Sequence, residues 1–372
     1  MGSASRFDFD VYRTRVTRAA ELAAGAGLDA LIVSPGPDLR YLIGSRAETF
    51  ERLTALVIGA DGTARLVVAR LELASVRESA ADDLGIEIVD WVDGQDAHAL
   101  ALAGLPDHPR LAVSDAMPAL HLVPIAQRVA ATPALATDVL RELRMIKDDA
   151  EIEALRRAGA AIDRVHARMG EWLRPGRTEK DVADDIAAAI VDEGHTGAEF
   201  VIVGSGPHGA DPHHEYSDRV IEPDDVVVID IGGPVEPGYN SDSTRTYCFT
   251  PPPVEIADAY AALQEAQARA VDSVRPGVTA ESIDAAAREL LRERGLAENF
   301  IHRTGHGIGL SVHEEPYIVG GNDLLLRPGM AFSVEPGVYF AGRWGARIED
   351  IVVVTDDGHE ALNVRPHDLV VL

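Results

Sequence analysis

Two aspartates lie in neighbouring predicted strands near the middle of the chain, at positions where carboxylates are unexpected. Asp230 stands near the end of an apolar β-branched run, where burying an unpaired charge is costly unless a cation meets it. Residues 241–249 alternate, which places Asp242, Thr244 and Thr246 on one face of the second strand. If the Gly/Pro-rich connection folds these strands into a hairpin, both aspartates can lie on the same face. We therefore expect them to share a cation.

A second pair of carboxylates follows further along the chain. Glu335 ends an apolar strand immediately before a Pro-Gly turn, and Glu349 shares a face with Arg347 in a strand predicted from Arg347 to Thr355. A purely structural interpretation pairs Glu349 with Arg347 or Arg343 and makes Glu335 a turn cap. The presence of the first pair, Asp230 and Asp242, makes that interpretation less convincing, because four carboxylates cannot converge in a core without cations.

Three histidines, His302, His306 and His313, lie within twelve residues of a chain that has 13 histidines. Glycines, which allow close approach of the backbone, stand among them, and this pattern favours a functional loop over three structural histidines. Four carboxylates and the imidazole of His306 are mostly hard oxygen ligands whose charge balances two divalent ions. Two neighbouring divalent metal ions generate a bridging hydroxide and polarise a carbonyl or phosphoryl oxygen. The predicted chemistry is therefore hydrolysis of an undetermined bond.

The elements that would position these residues are repeated along the chain. A helix is predicted from Asp148 to Leu173, and a capping box of Thr178 and Asp181 begins a second helix. Segment 174–178 is Arg-Pro-Gly-Arg-Thr and segment 275–279 is Arg-Pro-Gly-Val-Thr, and each precedes a helix and strands that carry carboxylates. The pattern indicates an internal duplication.

The first part of the chain alternates between predicted strands and helices, which is typical of a small α/β domain. Asp10 is placed to cap a first helix that ends near Gly25, and Ala60-Asp-Gly62 indicates a β-hairpin. This part contains no cluster of candidate ligands. We place the domain boundary at about residue 140, which gives an α/β domain over residues 1–140 and a second, α+β domain over residues 141–372.

One motif suggests a nucleotide site, but its surroundings do not fit. Segment 204–209, Gly-Ser-Gly-Pro-His-Gly, matches G-x-G-x-x-G and follows a predicted strand. In dinucleotide-binding folds this motif opens a helix whose N-terminus holds the pyrophosphate. Residues 210–218 lack helical periodicity and include a proline, so the sequence does not favour nucleotide binding.

Composition narrows the class of partner and the compartment. The 372 residues include 34 Lys and Arg and 61 Asp and Glu, a net charge of −27, which argues against nucleic acid or an anionic membrane as partner. The single cysteine, Cys248, cannot form an internal disulfide, and a reducing compartment fits. The N-terminus has no apolar signal segment, and no apolar run is long enough to cross a bilayer. We expect a soluble, cytoplasmic protein.

Taken together, these motifs resemble those of the pita-bread metallopeptidases, which include Xaa-Pro dipeptidases (prolidases), aminopeptidase P and methionine aminopeptidase. The resemblance covers about residues 140–372, and Asp38-Leu-Arg-Tyr-Leu-Ile-Gly44 is similar to the N-terminal domain of the proline-specific branch. It implies an α/β fold with a small N-terminal creatinase/prolidase-type domain and a C-terminal pita-bread domain. The residues that carry it are Asp230, Asp242 within Gly-Tyr-Asn-Ser-Asp-Ser-Thr-Arg-Thr, His306, Val334-Glu-Pro-Gly and Arg347-Ile-Glu-Asp.

The resemblance implies a set of metal ligands and a metal requirement. It places Asp230 on one metal ion and His306 and Glu335 on the other, with Asp242 and Glu349 bridging the two. Glu335 would also carry a proton from the bridging water to the leaving amine. Two divalent ions are implied, manganese being the first choice and cobalt, zinc and iron the alternatives.

The resemblance also implies residues that contact the substrate. His213 would contact the substrate and the developing oxyanion, with the adjacent His214 as a competitor for this role. His313 would stabilise the tetrahedral intermediate, and His302 would line the pocket. Arg347 matches an arginine that anchors the substrate carboxylate, although pairing with a ligand carboxylate explains it equally well.

The function implied is hydrolysis of the Xaa-Pro bond of dipeptides by a metal-bridging hydroxide. The resemblance also implies a small peptide as substrate and a homodimer as the oligomeric state. Aminopeptidase P is the closest alternative because it shares the metal site, although this chain is short for that group. A non-peptidase enzyme resembling creatinase and a non-catalytic interaction protein are further alternatives. Both usually lose metal ligands, and here all five positions are filled.

Overall fold

Apolar runs rich in β-branched residues form several strands of the structure, among them Val226–Val235 and Asp350–Val354, and alanine-rich amphipathic segments form most of its longer helices. The computed structural model describes residues 6–48 and 51–372. The chain divides into two units, Met1–Arg144 and Met145–Leu372.

The first unit is built around a mixed β-sheet of six strands. The predicted hairpin at Asp61-Gly62 is confirmed, because it joins the second strand to the third and Gly62 adopts φ +86°. The elements in chain order are α1 (Phe9–Gly25), β1 (Ala30–Val33), α2 (Pro37–Ile43), β2 (Ala55–Gly59), β3 (Ala64–Ala69), α3 (Leu73–Arg77), β4 (Glu87–Trp91), α4 (Ala97–Leu102), β5 (Leu111–Val113), α5 (Ala119–Val129), β6 (Ala134–Leu135) and α6 (Thr137–Met145). The sheet order is β4-β3-β2-β1-β5-β6.

The cap predicted for the first helix is wrong by two residues. Helix α1 begins at Phe9, and the carboxylate of Asp8 accepts a hydrogen bond of 3.1 Å from the backbone N–H of Asp10. Both residues are aspartates, so composition alone does not separate them, and the extended backbone of Asp8 decides which one is the cap.

The second unit contains two sheets, a two-stranded hairpin and two pairs of helices. Its elements are α7 (Asp149–Ala167), α8 (Glu179–Asp192), β7 (Phe200–Ser205), β8 (Val226–Val235), β9 (Tyr239–Cys248), α9 (Val254–Asp272), α10 (Ala280–Glu293), β10 (Gly305–Gly307), β11 (Glu314–Ile318), β12 (Ala331–Val334), β13 (Gly337–Phe340), β14 (Trp344–Arg347), β15 (Asp350–Val354), β16 (His359–Ala361) and β17 (Val370–Val371). One sheet has the order β17-β9-β8-β7, the other β11-β10-β12-β15-β16, and β13 pairs with β14.

The two helix pairs have matching lengths and matching entry turns. Helices α7 and α9 each have 19 residues, and α8 and α10 each have 14. In the turns that precede α8 and α10, Gly176 and Gly277 adopt φ +87° and +82°. Thr178 and Thr279 are the N-caps of these helices and form equivalent bridges to Val220 and Leu325. This correspondence supports the internal duplication indicated by the repeated Arg-Pro-Gly-x-Thr segments.

Of two sequence expectations for this unit, one is confirmed and the other is wrong. The capping box of Thr178 and Asp181 is present as predicted. The strand predicted from Arg347 to Thr355 is instead broken, since β14 ends at Arg347 and β15 begins at Asp350. The backbone N–H of Glu349 leaves the ladder and donates to the carbonyl of Thr244 at 3.2 Å. The break turns the chain from the hairpin into the five-stranded sheet.

The segment that matches G-x-G-x-x-G does not open an α-helix. Strand β7 runs into a short 3₁₀ turn, Gly206–Ala210, and an irregular segment follows. The motif therefore lacks the α-helix N-terminus that binds a pyrophosphate in dinucleotide-binding folds.

Within residues 6–48 and 51–372, no helix combines the length and the apolar character that a membrane span requires.

Candidate active site

A cavity of about 740 Å³ lies in the second unit, and the predicted site residues line it. The four carboxylates lie deep in this unit, and Asp242 and Glu349 are only 3% and 1% exposed. The residues that were singled out from the sequence and that line the cavity are His213, Asp230, Asp242, His302, His306, His313, Glu335, Arg347 and Glu349.

Register in the β8–β9 hairpin places the two aspartates on the same face. Asp230 lies opposite Thr244, and Gly232 lies opposite Asp242. Because side chains alternate along a strand, Asp230 and Asp242 are diagonal neighbours on one face. A glycine is sterically required at position 232, since a Cβ there would collide with the ring of Phe200 and the carbonyl of Ser241.

The second carboxylate pair comes from the ends of strands in the five-stranded sheet. Glu335 directly follows β12 and Glu349 directly precedes β15, and Val334 of β12 pairs with Asp350 of β15. The hydroxyl of Thr244 donates to Oε2 of Glu349 at 2.7 Å, which ties this pair to the first hairpin. The alternative pairing of Glu349 with Arg343 does not occur, because Arg343 pairs with Glu255.

His306 lies among these carboxylates on the short strand β10. Its Nδ1 donates to the carbonyl of Gly307 at 3.1 Å, which leaves Nε2 facing Glu335 Oε1 at 3.2 Å and Asp242 Oδ2 at 3.6 Å. The glycines on either side are sterically required, because a Cβ at Gly305 would overlap the carbonyl of Ser333 and one at Gly307 that of Glu315. Ligating atoms of Asp242, His306 and Glu349 all lie within 4.8 Å of one another.

The electrostatics of the cluster call for added positive charge. Burial raises the pKa of Asp242 and that of Glu349 well above the ordinary values, and neighbouring carboxylates add to the rise. Burial also raises the pKa of Asp230. Burial alone would raise the pKa of Glu335, but the hydrogen bond and charge of His306 hold that pKa at about 2. Without a bound cation, the cluster is therefore a set of crowded acids with too little positive charge.

Two carboxylate oxygens in the cluster lack a partner within the described residues. Oδ1 of Asp230 and Oε1 of Glu349 are buried and accept no hydrogen bond there. A buried acceptor that is left unsatisfied costs about 1–3 kcal/mol, so its presence in a folded site indicates a ligand. Carboxylate oxygens and one imidazole suit a divalent cation, and the residues present fit such an ion.

Arg347 holds one of these carboxylates in place. Its Nη2 donates to Asp230 Oδ2 at 2.6 Å, its Nη1 to the hydroxyl of Tyr339 at 2.7 Å, and its Nε to Thr244 Oγ1 at 3.2 Å. The side chain is 3% exposed. Of the two roles considered for Arg347, these contacts match the structural partner of a ligand carboxylate.

His213 and His214 lie in different surroundings. His213 is exposed and lines the cavity, whereas Nε2 of His214 donates to Glu179 Oε2 at 2.8 Å. Glu179 is fully buried and also accepts hydrogen bonds from the backbone and hydroxyl of both Ser205 and Ser217. This arrangement favours His213 over His214 as the histidine that faces a substrate.

Glu179, His208 and His214 form a second group that has metal-ligand chemistry. Nδ1 of His208 lies 3.1 Å from each oxygen of Glu179, and the His208 and His214 rings lie 4.2 Å apart. Unlike the orphaned oxygens of the cavity, both oxygens of Glu179 already have hydrogen-bond donors. Glu179 instead connects helix α8 to the segment that carries His213. Sequence reasoning missed this role, because the donors come from β7 and from irregular segments further along the chain.

The remaining histidines form one wall of the cavity. The ring centroid of His313 lies 4.0 Å from that of His306, and burial lowers the pKa of His313 to about 4. Nε2 of His302 lies 2.9 Å from the hydroxyl of Tyr339, the same hydroxyl that Arg347 contacts. Burial lowers the pKa of His302 as well. Both rings are therefore neutral near pH 7 in this structure.

A buried ion pair behind the site positions Glu349, and no sequence motif indicated this role. Arg245, on the opposite face of β9, donates to Asp350 Oδ1 at 2.7 Å and to the carbonyl of Glu349 at 2.7 Å. His367 Nε2 lies 2.5 Å from the other oxygen of Asp350. In the sequence, Arg245 and Asp350 stand out only because they lie in the same motifs as the candidate ligands Asp242 and Glu349.

Known proteins similar to this chain give a consistent result. Residues 153–356 match metallopeptidase family M24, and residues 15–146 match the creatinase/prolidase N-terminal domain. A probable dipeptidase PepE from Mycobacterium tuberculosis is 62% identical over 100% of this chain and 99% of its own length. An Xaa-Pro dipeptidase from Lactobacillus delbrueckii subsp. lactis is 32% identical over 93% of this chain and 95% of its own length.

A solved structure is similar to this chain over almost its entire length. The crystal structure of dipeptidase PepE from Mycobacterium ulcerans has a TM-score of 0.94 and 63% identity, and it covers 98% of this chain and 99% of that chain. These matches confirm the predicted fold class, an N-terminal creatinase-type domain followed by a pita-bread domain. The chain belongs to metallopeptidase family M24, and it is a peptidase.

Proposed function

We propose that this peptidase hydrolyses the Xaa-Pro bond of dipeptides and uses two divalent metal ions to do so. The observation that carries the proposal is the convergence of four carboxylates with His306 in one cavity. Two oxygens of these carboxylates, Oδ1 of Asp230 and Oε1 of Glu349, are buried and have no partner within the described residues. A relative that is 32% identical is named Xaa-Pro dipeptidase, which supports the choice of bond.

The ligand roles proposed from the resemblance are compatible with this geometry. Asp230 would hold one ion, His306 and Glu335 the other, and Asp242 and Glu349 would lie between them. Bound there, divalent ions would supply an activated water and would polarise the scissile carbonyl. Manganese is the first choice for both ions, and cobalt, zinc and iron remain alternatives because all four tolerate such ligands.

The protein side chains supply the proton transfers. Oε1 of Glu335 lies 3.2 Å from Nε2 of His306, so its carboxylate would be placed beside the ions to accept a proton from the attacking water and later deliver it to the leaving amine. Neutral His313 and His302 still carry one N–H each, and such a donor can stabilise negative charge on the substrate oxygen. We assign that role to His313 and to His213, and we place His302 at the pocket wall.

The test is hydrolysis of Ala-Pro and Ala-Pro-Ala by protein stripped of metal and then given Mn²⁺, Co²⁺, Zn²⁺ or Fe²⁺ singly. We expect cleavage of Ala-Pro, little cleavage of Ala-Pro-Ala and none of Ala-Ala. Cleavage of the tripeptide alone would favour aminopeptidase P. Folded, metal-loaded protein that cleaves no Xaa-Pro substrate would contradict the proposal. The Asp242→Ala variant, purified in the same way, controls for contaminating peptidases. Light scattering on the same samples tests the expected homodimer.

A further inference from the structure

Three metal-binding groups outside the catalytic cavity converge on one point. One carboxylate oxygen of Glu179 and one ring nitrogen each of His208 and His214 lie within 4.8 Å of one another. Nδ1 of His208 lies 3.1 Å from each oxygen of Glu179, and Nε2 of His214 lies 2.8 Å from Oε2. Both imidazoles therefore direct a nitrogen at the same carboxylate, and a bound metal ion requires this kind of convergence.

Glu179 is a buried anion whose charge is not balanced by a permanent cation. Its side chain is 0% exposed. Burial raises the pKa of this carboxyl group, but hydrogen bonds from Ser205, His214 and Ser217 outweigh burial and hold that pKa at about 2. In the part of the chain that the structure describes, no lysine or arginine forms an ion pair with it. A cation between the carboxylate and the imidazoles would supply the missing charge.

Two serines orient this carboxylate and would stay in place when a metal binds. Ser205 donates its backbone N–H and its hydroxyl to Oε1 of Glu179, at 2.9 and 2.6 Å. Ser217 donates the same two groups to Oε2, at 3.0 and 2.7 Å. Arg219 donates to the hydroxyl of Ser205 at 2.6 Å, while its charge is paired with Asp225. Such donors fix the direction of a ligating carboxylate, so a metal ion would replace only the contacts from the imidazoles.

The ligand types and distances at this point favour zinc. Two imidazoles and one carboxylate, with a fourth position open to water, are a ligand set that zinc uses in proteins. With zinc–ligand bonds of about 2.0–2.1 Å, tetrahedral ligands lie about 3.3 Å apart, so each nitrogen has to move away from Glu179 by only about 0.2–0.5 Å. The side chains of His208 and His214 are 36% and 19% exposed, which lets them move and lets an ion reach them from solvent.

We propose that Glu179, His208 and His214 bind one zinc ion at a site separate from the catalytic cluster. Each imidazole then presents a lone pair to the metal in place of an N–H to the carboxylate. The catalytic cluster has four carboxylates and one imidazole and suits manganese, whereas two imidazoles suit zinc, so the chain can bind different metals at its two sites. Because His208 and His214 lie on either side of His213 in the sequence, bound zinc restrains the segment that carries His213.

The test is calorimetric titration of Zn²⁺ into metal-free Asp242→Asn protein, in which the catalytic cluster is weakened. Two further changes, each made in this background, remove one ligand and keep a hydrogen-bond donor to Glu179. The amide nitrogen of Asn replaces Nδ1 in His208→Asn, and that of Gln replaces Nε2 in His214→Gln. Each should bind one zinc ion fewer than the background, because loss of a ligand costs more than the about 10- to 100-fold in affinity that loss of a group orienting a ligand costs. His359→Gln should bind as many zinc ions as the background.

Hydrogen exchange gives a second measurement, because it reports on the segment itself and not on the catalytic cluster. Zn²⁺ should slow exchange in residues 205–218 of the Asp242→Asn protein and leave it unchanged when His208→Asn is added. Mn²⁺ at the same concentration should have little effect on this segment. Thermal unfolding of the metal-free proteins checks that each variant is folded. Equal numbers of bound zinc ions in the background and in both ligand variants would overturn the proposal, and so would zinc binding that leaves exchange in this segment unchanged.

Discussion

Nη2 of Arg347 lies 2.6 Å from Oδ2 of Asp230, and the two residues are 117 positions apart in the sequence. Arg347 ends β14 beside the second carboxylate pair, whereas Asp230 belongs to the first, so this ion pair connects the two hairpins of the site. The arginine offsets part of the negative charge of the cluster, and it fixes which oxygen of Asp230 remains available.

We expect Arg347→Met to weaken both the fold and the metal site. The change leaves Asp230 as a buried charge without its partner, which costs about 3–5 kcal/mol in the metal-free protein. Metal affinity should fall by about 10- to 100-fold, as for other residues that orient a ligand. Urea unfolding and elemental analysis of bound metal measure the two effects. Arg347→Lys should restore little, because one ammonium cannot reach Asp230, Tyr339 and Thr244 together. Wild-type metal content in Arg347→Met would contradict this assignment.

Asp242→Asn should have opposite effects on stability with and without metal. In the metal-free protein, the change removes one acid from a crowded, buried group, so the midpoint of thermal unfolding should rise. With divalent metal in excess, the wild type should gain stability from binding and the variant should gain little. Activity of the variant should fall below detection. Calorimetric scans with a chelator and with Mn²⁺ provide the comparison, and a variant that is less stable than the wild type under both conditions would show that repulsion among the carboxylates is not important.

Glu179→Gln should disturb the segment that carries His213 without removing metal ligands. The amide can accept at only one atom, whereas both oxygens of the carboxylate receive hydrogen bonds from Ser205, Ser217 and the histidines. We expect a loss of about 2–4 kcal/mol of stability, faster hydrogen exchange in residues 205–218 and a lower kcat at full metal content.

A matched control is available for this change in the other half of the second unit. Glu281 lies in the first turn of α10 and accepts one hydrogen bond, from the backbone N–H of Gly321 at 3.1 Å. Glu281→Gln should leave kcat and exchange near His213 unchanged. If both variants behaved alike, the role of Glu179 would be limited to helix stability.

His166 should make the stability of the protein depend on pH in mildly acidic solution. The imidazole is 2% exposed, donates to the carbonyl of Ser243 and accepts from Tyr247, and burial followed by the charge of Arg245 lowers its pKa to about 3. The unfolded chain binds this proton near pH 6.5, so stability is lost as pH falls from about 6.5 towards 3. The slope from this group is at most about 1.4 kcal/mol per pH unit.

Urea unfolding between pH 5 and pH 7 checks the effect of His166. His166→Gln should lower stability at pH 7 but give a shallower dependence on pH than the wild type. His359→Gln, which removes a half-buried imidazole that contacts the carbonyl of Val274 at 3.1 Å, serves as the control. Parallel curves for wild type and His166→Gln would rule out His166 as the source.

The convergence of the candidate ligands in one cavity was predictable because their residue types conflict with their local setting. A carboxylate at the end of an apolar strand, such as Asp230 or Glu335, needs a cation, and two such pairs in one chain narrow the possibilities. The alternation of β9 also placed Asp242 and Thr244 on one face correctly. Local pattern is sufficient here, because the signal depends on strand periodicity and on the cost of burying charge.

Contacts between distant segments could not be predicted in the same way. Sequence spacing did not show whether Arg347 binds a substrate carboxylate or the carboxylate of Asp230, because that depends on how the hairpins pack. The break between Arg347 and Asp350 is likewise set by Thr244, whose carbonyl receives the N–H of Glu349, and not by local propensity. The donors to Glu179 are 26 to 38 positions away from it in the chain, and their convergence follows only from the fold.

The hydrogen bond between Thr244 and Glu349 joins residues 105 positions apart and marks where the two sheets of the second unit meet. A cation held by Asp242 on one side and Glu349 on the other would close a chain loop of about that size. Unlike a disulfide, such a tie would exist only in the folded chain, so it would stabilise the protein by the free energy of metal binding and not by restricting the unfolded ensemble. A chain with a single cysteine would thus obtain a reversible cross-link from its catalytic centre, one that a chelator and not a reductant would open.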